Sequence, residues 1–132
     1  MEMKKVLLDT NAYSQFMAGN EGVFEIIGES DTVYISIFVL AELLYGFKNG
    51  KKEKENTHDL KLFCTKPIVK IIEAGSDTAE VYSGIKLNLR KAGTPIPNND
   101  IWIAAHAMET GSVLVTNDLH FDYVRGIRKI SF

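Results

Sequence analysis

The feature that most limits how this chain can fold is an alternation. Short strand-like apolar runs recur along it, and each is followed by segments whose apolar residues repeat at helical spacing. Lys5 to Leu8 is the first run, and Asp9-Thr10-Asn11 interrupts it with cap and turn chemistry, so a strand passes into a helix there. Gly19-Asn20 breaks that helix, and Val23, Phe24, Ile26 and Ile27 make a second helical face ending near Gly28. Thr32 to Ile35 is the next strand. Ser36 then caps a helix through about Tyr45, with Gly46 as its stop.

The pattern continues in the second half. In the charge-rich stretch Lys48 to Lys61, residues Asp59, Leu60, Leu62 and Phe63 predict a helix in the later part, stopped by Pro67. Val69 to Ile72 is a strand, and Asp77 with Glu80 forms a D-x-x-E capping pattern for a helix that ends at Gly93. Thr94-Pro95-Ile96-Pro97 is a rigid extended linker, because each proline disfavours helix in the residue before it. Asn98-Asn99-Asp100 opens a helix with Ile101, Ala104, Ala105 and Met108 on one face and Gly111 as its cap. Ser112 to Val115 is a strand leaving through Thr116-Asn117-Asp118, and Ile127 to Ile130 is a last edge strand. The predicted order is β-α-α-β-α-α-β-α-α-β-α-β, which implies an α/β fold with a central, mainly parallel sheet sandwiched between helices.

No linker, internal repeat or low-complexity tract divides the 132 residues, so one domain over 1–132 is expected. The lone Cys64 excludes an internal disulfide and an all-cysteine metal site, and fits a reducing cytoplasm, the expected location. Only Val6, Leu7 and Leu8 precede Asp9, far short of a signal peptide's apolar region. The longest apolar stretch, Ile35 to Phe47, is 13 residues and holds Glu42, whereas a bilayer needs about 20. No membrane role is expected. The net charge of −2 argues on its face against a nucleic-acid partner, since phosphate contacts need lysine and arginine.

Four acids change that reading. In a parallel sheet, sites form outside the carboxyl ends of the strands. Asp9 and Asp118 sit at two such exits, Asp100 opens a helix after the proline linker, and Glu42 lies on the helix after the second strand. Taken singly, Asp9 and Asp100 read as helix caps and Asp118 as a turn residue. Glu42 is the only charged residue in its apolar stretch, so the fold must either expose it or give it a partner. If the four meet, a pair about 5 Å apart repels by roughly 0.8 kcal/mol even in water. A divalent cation removes that penalty, and oxygen-only ligands favour Mg²⁺ or Mn²⁺ over Zn²⁺. Setting the four aside leaves 13 acids against 15 lysines and arginines, so the rest of the molecule carries +2.

At these residues the chain resembles the PIN-domain proteins, specifically the VapC-type toxin ribonucleases of bacterial and archaeal toxin–antitoxin pairs. The matching stretches are LLDTNAYS (7 to 14), AELLYGF (41 to 47), NNDIWIAAHA (98 to 107) and LVTNDLHFDYVRGI (114 to 127). They fall in order along nearly the whole chain. The resemblance implies a PIN-like three-layer α/β/α sandwich in which Asp9, Glu42, Asp100 and Asp118 form the catalytic cluster and Asn11 and Thr116 support it. It further implies Mg²⁺- or Mn²⁺-dependent endoribonuclease activity on RNA, a homodimer, and inhibition by a cognate antitoxin whose C-terminal segment occupies the active-site groove. On this reading Asp9, Asp100 and Asp118 hold the ion that activates a water, and Glu42 completes the shell or orients that water. Asp122 lies near enough in sequence to substitute for Asp118.

Other readings are open at this stage. Asp9 as a covalent nucleophile of a phosphatase would want a D-x-D pattern, and the chain has Asp9-Thr10-Asn11. A non-catalytic RNA- or protein-binding module would use the acids structurally. Lys48, Lys51, Lys52 and Lys54 either hold RNA or form a solvated face, since Glu53, Glu55 and Asp59 interleave with them. His58, His106 and His120 are too scattered for a zinc triad, although His106 or His120 could approach substrate, and Trp102 either stacks on a base or packs internally. The segment from Gly46 to Lys52 lacks the spacing of a phosphate loop, and no serine has the glycines of a nucleophile elbow.

Overall fold

The computed structural model describes residues 4–132. The beginning of the N-terminal segment considered above, residues 1–3, lies outside the described residues. The chain forms β1 (Lys5–Leu8), α1 (Thr10–Met17), α2 (Glu21–Gly28), β2 (Thr32–Ser36), α3 (Ile37–Asn49) and α4 (Glu53–Cys64). It continues with β3 (Val69–Ile72), α5 (Ser76–Ala92), α6 (Asn98–Thr110), β4 (Val113–Val115), a 3-10 turn (Leu119–Tyr123) and β5 (Arg128–Ile130). The expected order of elements holds throughout. The last helix is a single 3-10 turn, because Asp118 caps only one turn before Val124 leaves in extended conformation.

The five strands form one sheet in the order β3-β2-β1-β4-β5, and every pairing is parallel. Leu7 of β1 lies opposite Tyr34 of β2 on one side and Leu114 of β4 on the other. Leu7, Leu8, Val33, Ile35, Leu114 and Val115 are fully buried, as expected of a sheet covered by helices on both faces. The connections from β1 through β2 to β3 step to one side, and the next crosses back to the far side of β1. The strand order therefore reverses between β1 and β4, where an open parallel sheet leaves a crevice at its carboxyl end.

Several local expectations are corrected. Gly46 does not stop α3, which runs on to Asn49. A glycine inside a helix costs about 1 kcal/mol, and here Phe47, packed against the core, keeps the next turn helical. Helix α4 starts at Glu53, earlier than its apolar residues alone suggest, with Glu53 and Glu55 in its first turn facing the helix dipole favourably. Asp77 and Glu80 do not cap α5; Gly75 precedes the helix and its N–H donates to Thr78 Oγ1 at 3.0 Å. Ser36 caps α3 as expected, its Oγ accepting from the Phe38 N–H at 3.1 Å. Gly93 and Gly111 end α5 and α6 in the left-handed conformation, at φ 71° and 63°.

The centre of the sheet should be the least forgiving place in the molecule. Leu7→Ala is expected to destabilise the protein by about 3 kcal/mol, read as a lowered midpoint in urea with an unchanged slope.

Candidate active site

Asp9 leaves β1 and caps α1. Its Oδ1 accepts from the Ala12 N–H at 2.7 Å, and its Oδ2 accepts from Thr116 Oγ1 at 2.5 Å. Thr116 lies 107 positions away at the exit of β4, and its hydroxyl oxygen also accepts the Asp118 N–H at 3.0 Å. One buried threonine thus ties the two strand exits together. Asp118 turns back to accept from the His120 N–H at 2.9 Å, capping the 3-10 turn. Asp100 lies in the first turn of α6, and its Oδ2 is 3.0 Å from His120 Nδ1, which is also 3.3 Å from Asp118 Oδ1. On α3, Glu42 accepts from the Asn99 side-chain amide.

The four acids border one pocket of about 300 Å³, to which Asn11 also contributes. They sit at graded depth. Asp9 is buried on the floor, Asp100 is half-buried, and Glu42 and Asp118 are exposed at the rim. Glu42 meets both conditions set by its apolar surroundings, since it is exposed and has the Asn99 amide as partner. Asp122 does not line the pocket and pairs with Lys129.

Burial pushes the Asp9, Glu42 and Asp100 carboxyls above the usual carboxylate range. Their mutual repulsion adds to this: Asp118 and Asp100 raise Asp9, Asp118 raises Asp100, and Asp100 and Asp9 raise Glu42. The hydrogen bonds from Thr116 and Ala12 to Asp9, and from His120 to Asp100, oppose the shift without cancelling it. Such a donor set fits a hard divalent cation, which would stabilise the charged forms that burial disfavours.

Among the described residues, the group of candidate ligand atoms closest together is Asp100, Asp118 and His120, all within 4.8 Å of one another. The sequence reading put Asp9, Asp100 and Asp118 in that role. Asp9 lies outside this trio, and both its oxygens already accept hydrogen bonds, each keeping a second lone pair. His120 is singled out in the sequence only as a residue able to approach substrate, and its place beside Asp100 and Asp118 comes from the structure. The available signal was its position two residues after Asp118, within one turn at a strand exit.

The remaining candidates lie elsewhere. Trp102 stacks on Phe38 at 5.0 Å and on Tyr82 at 3.9 Å between ring centroids, so its faces are occupied by neighbours in the fold. His106 is fully buried, with Nδ1 2.8 Å from Ser36 Oγ.

A wholly parallel sheet flanked by helices, with four carboxylates at its point of reversal, defines an α/β sandwich of the PIN type. The chain matches the PIN domain over residues 6–127 and belongs to that family. It is 32% identical over 117 residues to Ribonuclease VapC2 of Rickettsia felis, covering 86% of each chain. It is 30% identical over 129 residues to the tRNA(fMet)-specific endonuclease VapC of Salmonella typhimurium, covering 96% of each. The fold superposes with a TM-score of 0.83 on a chain in the crystal structure of VapBC2 from Rickettsia felis bound to a DNA fragment from their promoter. That match is 28% identical and covers 97% of this chain and 98% of the other.

The raised carboxyls make a prediction with a definite sign. A group whose folded pKa lies above its unfolded value stabilises the fold at low pH and loses that contribution as pH rises through the folded value. Metal-free Asp100→Asn should therefore melt higher than the parent at pH 7. The gap should close toward pH 4. The rise in melting temperature on adding Mn²⁺ should follow the opposite course in the parent, large at pH 7 and small near pH 4. Calorimetry at the two pH values measures both.

Proposed function

We propose that the protein is a VapC-type endoribonuclease that hydrolyses RNA phosphodiester bonds with Mg²⁺ or Mn²⁺ and is held inactive by a cognate antitoxin. The observation that carries this reading is the meeting of Asp9, Glu42, Asp100 and Asp118 from four separate chain segments around one pocket at the sheet's reversal. Both relatives named above are ribonucleases or endonucleases, and the structural neighbour is a VapBC pair, which supports the activity and the partner.

Asp100 and Asp118 would hold the ion, with His120 beside them and Asp9 beneath. When bound, it supplies Lewis-acid chemistry, easing deprotonation of a water and neutralising charge on the phosphate. Thr116 and the Ala12 N–H fix Asp9 so that the floor of the pocket does not rearrange as charge moves above it. Asn99 holds Glu42 at the rim, where it orients the attacking water; its raised pKa suits it to accept the water's proton. The water oxygen bonds to phosphorus as the bond to the leaving ribose oxygen breaks; that oxygen takes up a proton from solvent, and Glu42 gives the water's proton back to solvent. A cytoplasmic location, where RNA is made in a bacterial or archaeal cell, is part of the proposal. Two copies acting as a homodimer complete the proposal.

Asp9→Asn and Asp100→Asn should each lower RNA cleavage at least 100-fold with circular dichroism unchanged, and a chelator should do the same to the parent. Incubation with total RNA, and with initiator tRNA because of the Salmonella relative, reads the result on a gel. Undiminished cleavage in either variant overturns the assignment.

A further inference from the structure

A second cleft opens between α3 and α4. It has about 370 Å³ of space and is lined by Leu44 and Lys48 from α3 and by Glu53, Lys54, Thr57, His58 and Lys61 from α4. In the linear sequence these bases alternate with Glu53, Glu55 and Asp59, which reads as a mixed, solvated surface. The helix sorts Glu55 and Asp59 away from the bases, while Glu53 stays in the lining, where it pairs with Lys48. Lys54, His58 and Lys61 are spaced four and three residues apart, so they stack on one face, which borders the cleft. Glu55 and Asp59 are likewise four apart on a different face and do not line it.

The lysines also differ in how far their charge is neutralised. Lys48 is paired with Glu53 at 3.1 Å. Lys54 and Lys61 have no acid three or four residues away along the helix, and neither is in any ion pair among the described residues. Two uncompensated ammonium groups, with a threonine hydroxyl and an imidazole between them, form a row of donors suited to successive phosphates. A helical peptide partner would need apolar anchors, and among the described residues Leu44 is the only aliphatic side chain lining the cleft.

The acidic pocket itself repels a polyanion, so substrate affinity must come from cations outside it. Helix α3 links the two places: Glu42 reaches the pocket, and Lys48, six residues on, reaches the cleft about 9 Å further along the axis.

We propose that the α3–α4 cleft is an RNA-backbone site, in which Lys54 and Lys61, assisted by Thr57 and His58, hold phosphates of the strand a few nucleotides from the bond in the acidic pocket. This rests on the reading of the protein as a ribonuclease, but its test does not use cleavage. Binding of a fluorescein-labelled 20-nucleotide single-stranded RNA is measured by anisotropy with the full-length protein in excess chelator, between 50 and 200 mM salt. Lys54→Gln/Lys61→Gln should weaken binding at least fivefold at 50 mM salt and flatten the dependence of log K on log salt by about 1.4, or 0.7 for each phosphate no longer neutralised. Glutamine keeps the helix propensity of these positions, and an unchanged melting temperature checks that the fold is intact. Lys70→Gln/Lys91→Gln, with the same change in net charge at exposed sites elsewhere, should stay within twofold of the parent. Equal losses in the two double variants, or affinity and slope unchanged in the first, would overturn the proposal. So would loss of binding to a 20-residue oligoglutamate with RNA binding intact, which would assign the cleft to an acidic protein segment. Failure of the catalytic reading would show separately, as RNA that is bound but never cut.

Discussion

β1 and β4 lie side by side, with Leu8 opposite Val115, and the positions of Asp9 and Asp118 in the pocket follow from that neighbour relation. The two strands are far apart in sequence and their onward connections run to opposite sides of the sheet, which leaves a crevice between their exits. Asp9 steps out of one strand and Thr116 out of the other, and their hydrogen bond turns a topological gap into a walled pocket. Helices α3 and α6 then close it from the side. Asn99 meets Glu42, Trp102 meets Phe38, and His106 meets Ser36, successive contacts that fix how Glu42 and Asp100 face each other.

Much of this was legible in the sequence, and the reasons differ by feature. Element order could be read because each strand is a compact apolar run ended by cap or turn residues, as at Leu8-Asp9 and Val115-Thr116. Boundaries failed where tertiary contact outweighed local preference, as at Gly46, where the packing of Phe47 carries the helix past a residue that usually ends one. Order in the sheet was not readable, because parallel pairings between distant segments leave no local mark. The acids were found because charge at strand exits is conspicuous in apolar surroundings. The contact of His120 with Asp100 was not legible, because Asp100 reaches it only through the fold.

The pocket is also a place where stability and function pull apart. Three of its carboxyls are held above their normal range by burial first and by neighbouring acids second, so the charged forms are disfavoured in the metal-free fold. The hydrogen bonds that reach Asp9 and Asp100 lessen that strain and fix where the oxygens point. A cation entering the site would find its ligands already oriented, and the reorganisation needed at the moment of binding is correspondingly small.

Trp102 is the sole tryptophan in the chain, and it sits on α6 two residues from Asp100, sandwiched with Phe38 of α3 and Tyr82 of α5. The molecule therefore carries a built-in optical gauge at the junction of three helices. Any shift of α6 that moved its leading aspartate would also disturb the ring stack, and the ultraviolet emission of the protein would register it without a dye or a label.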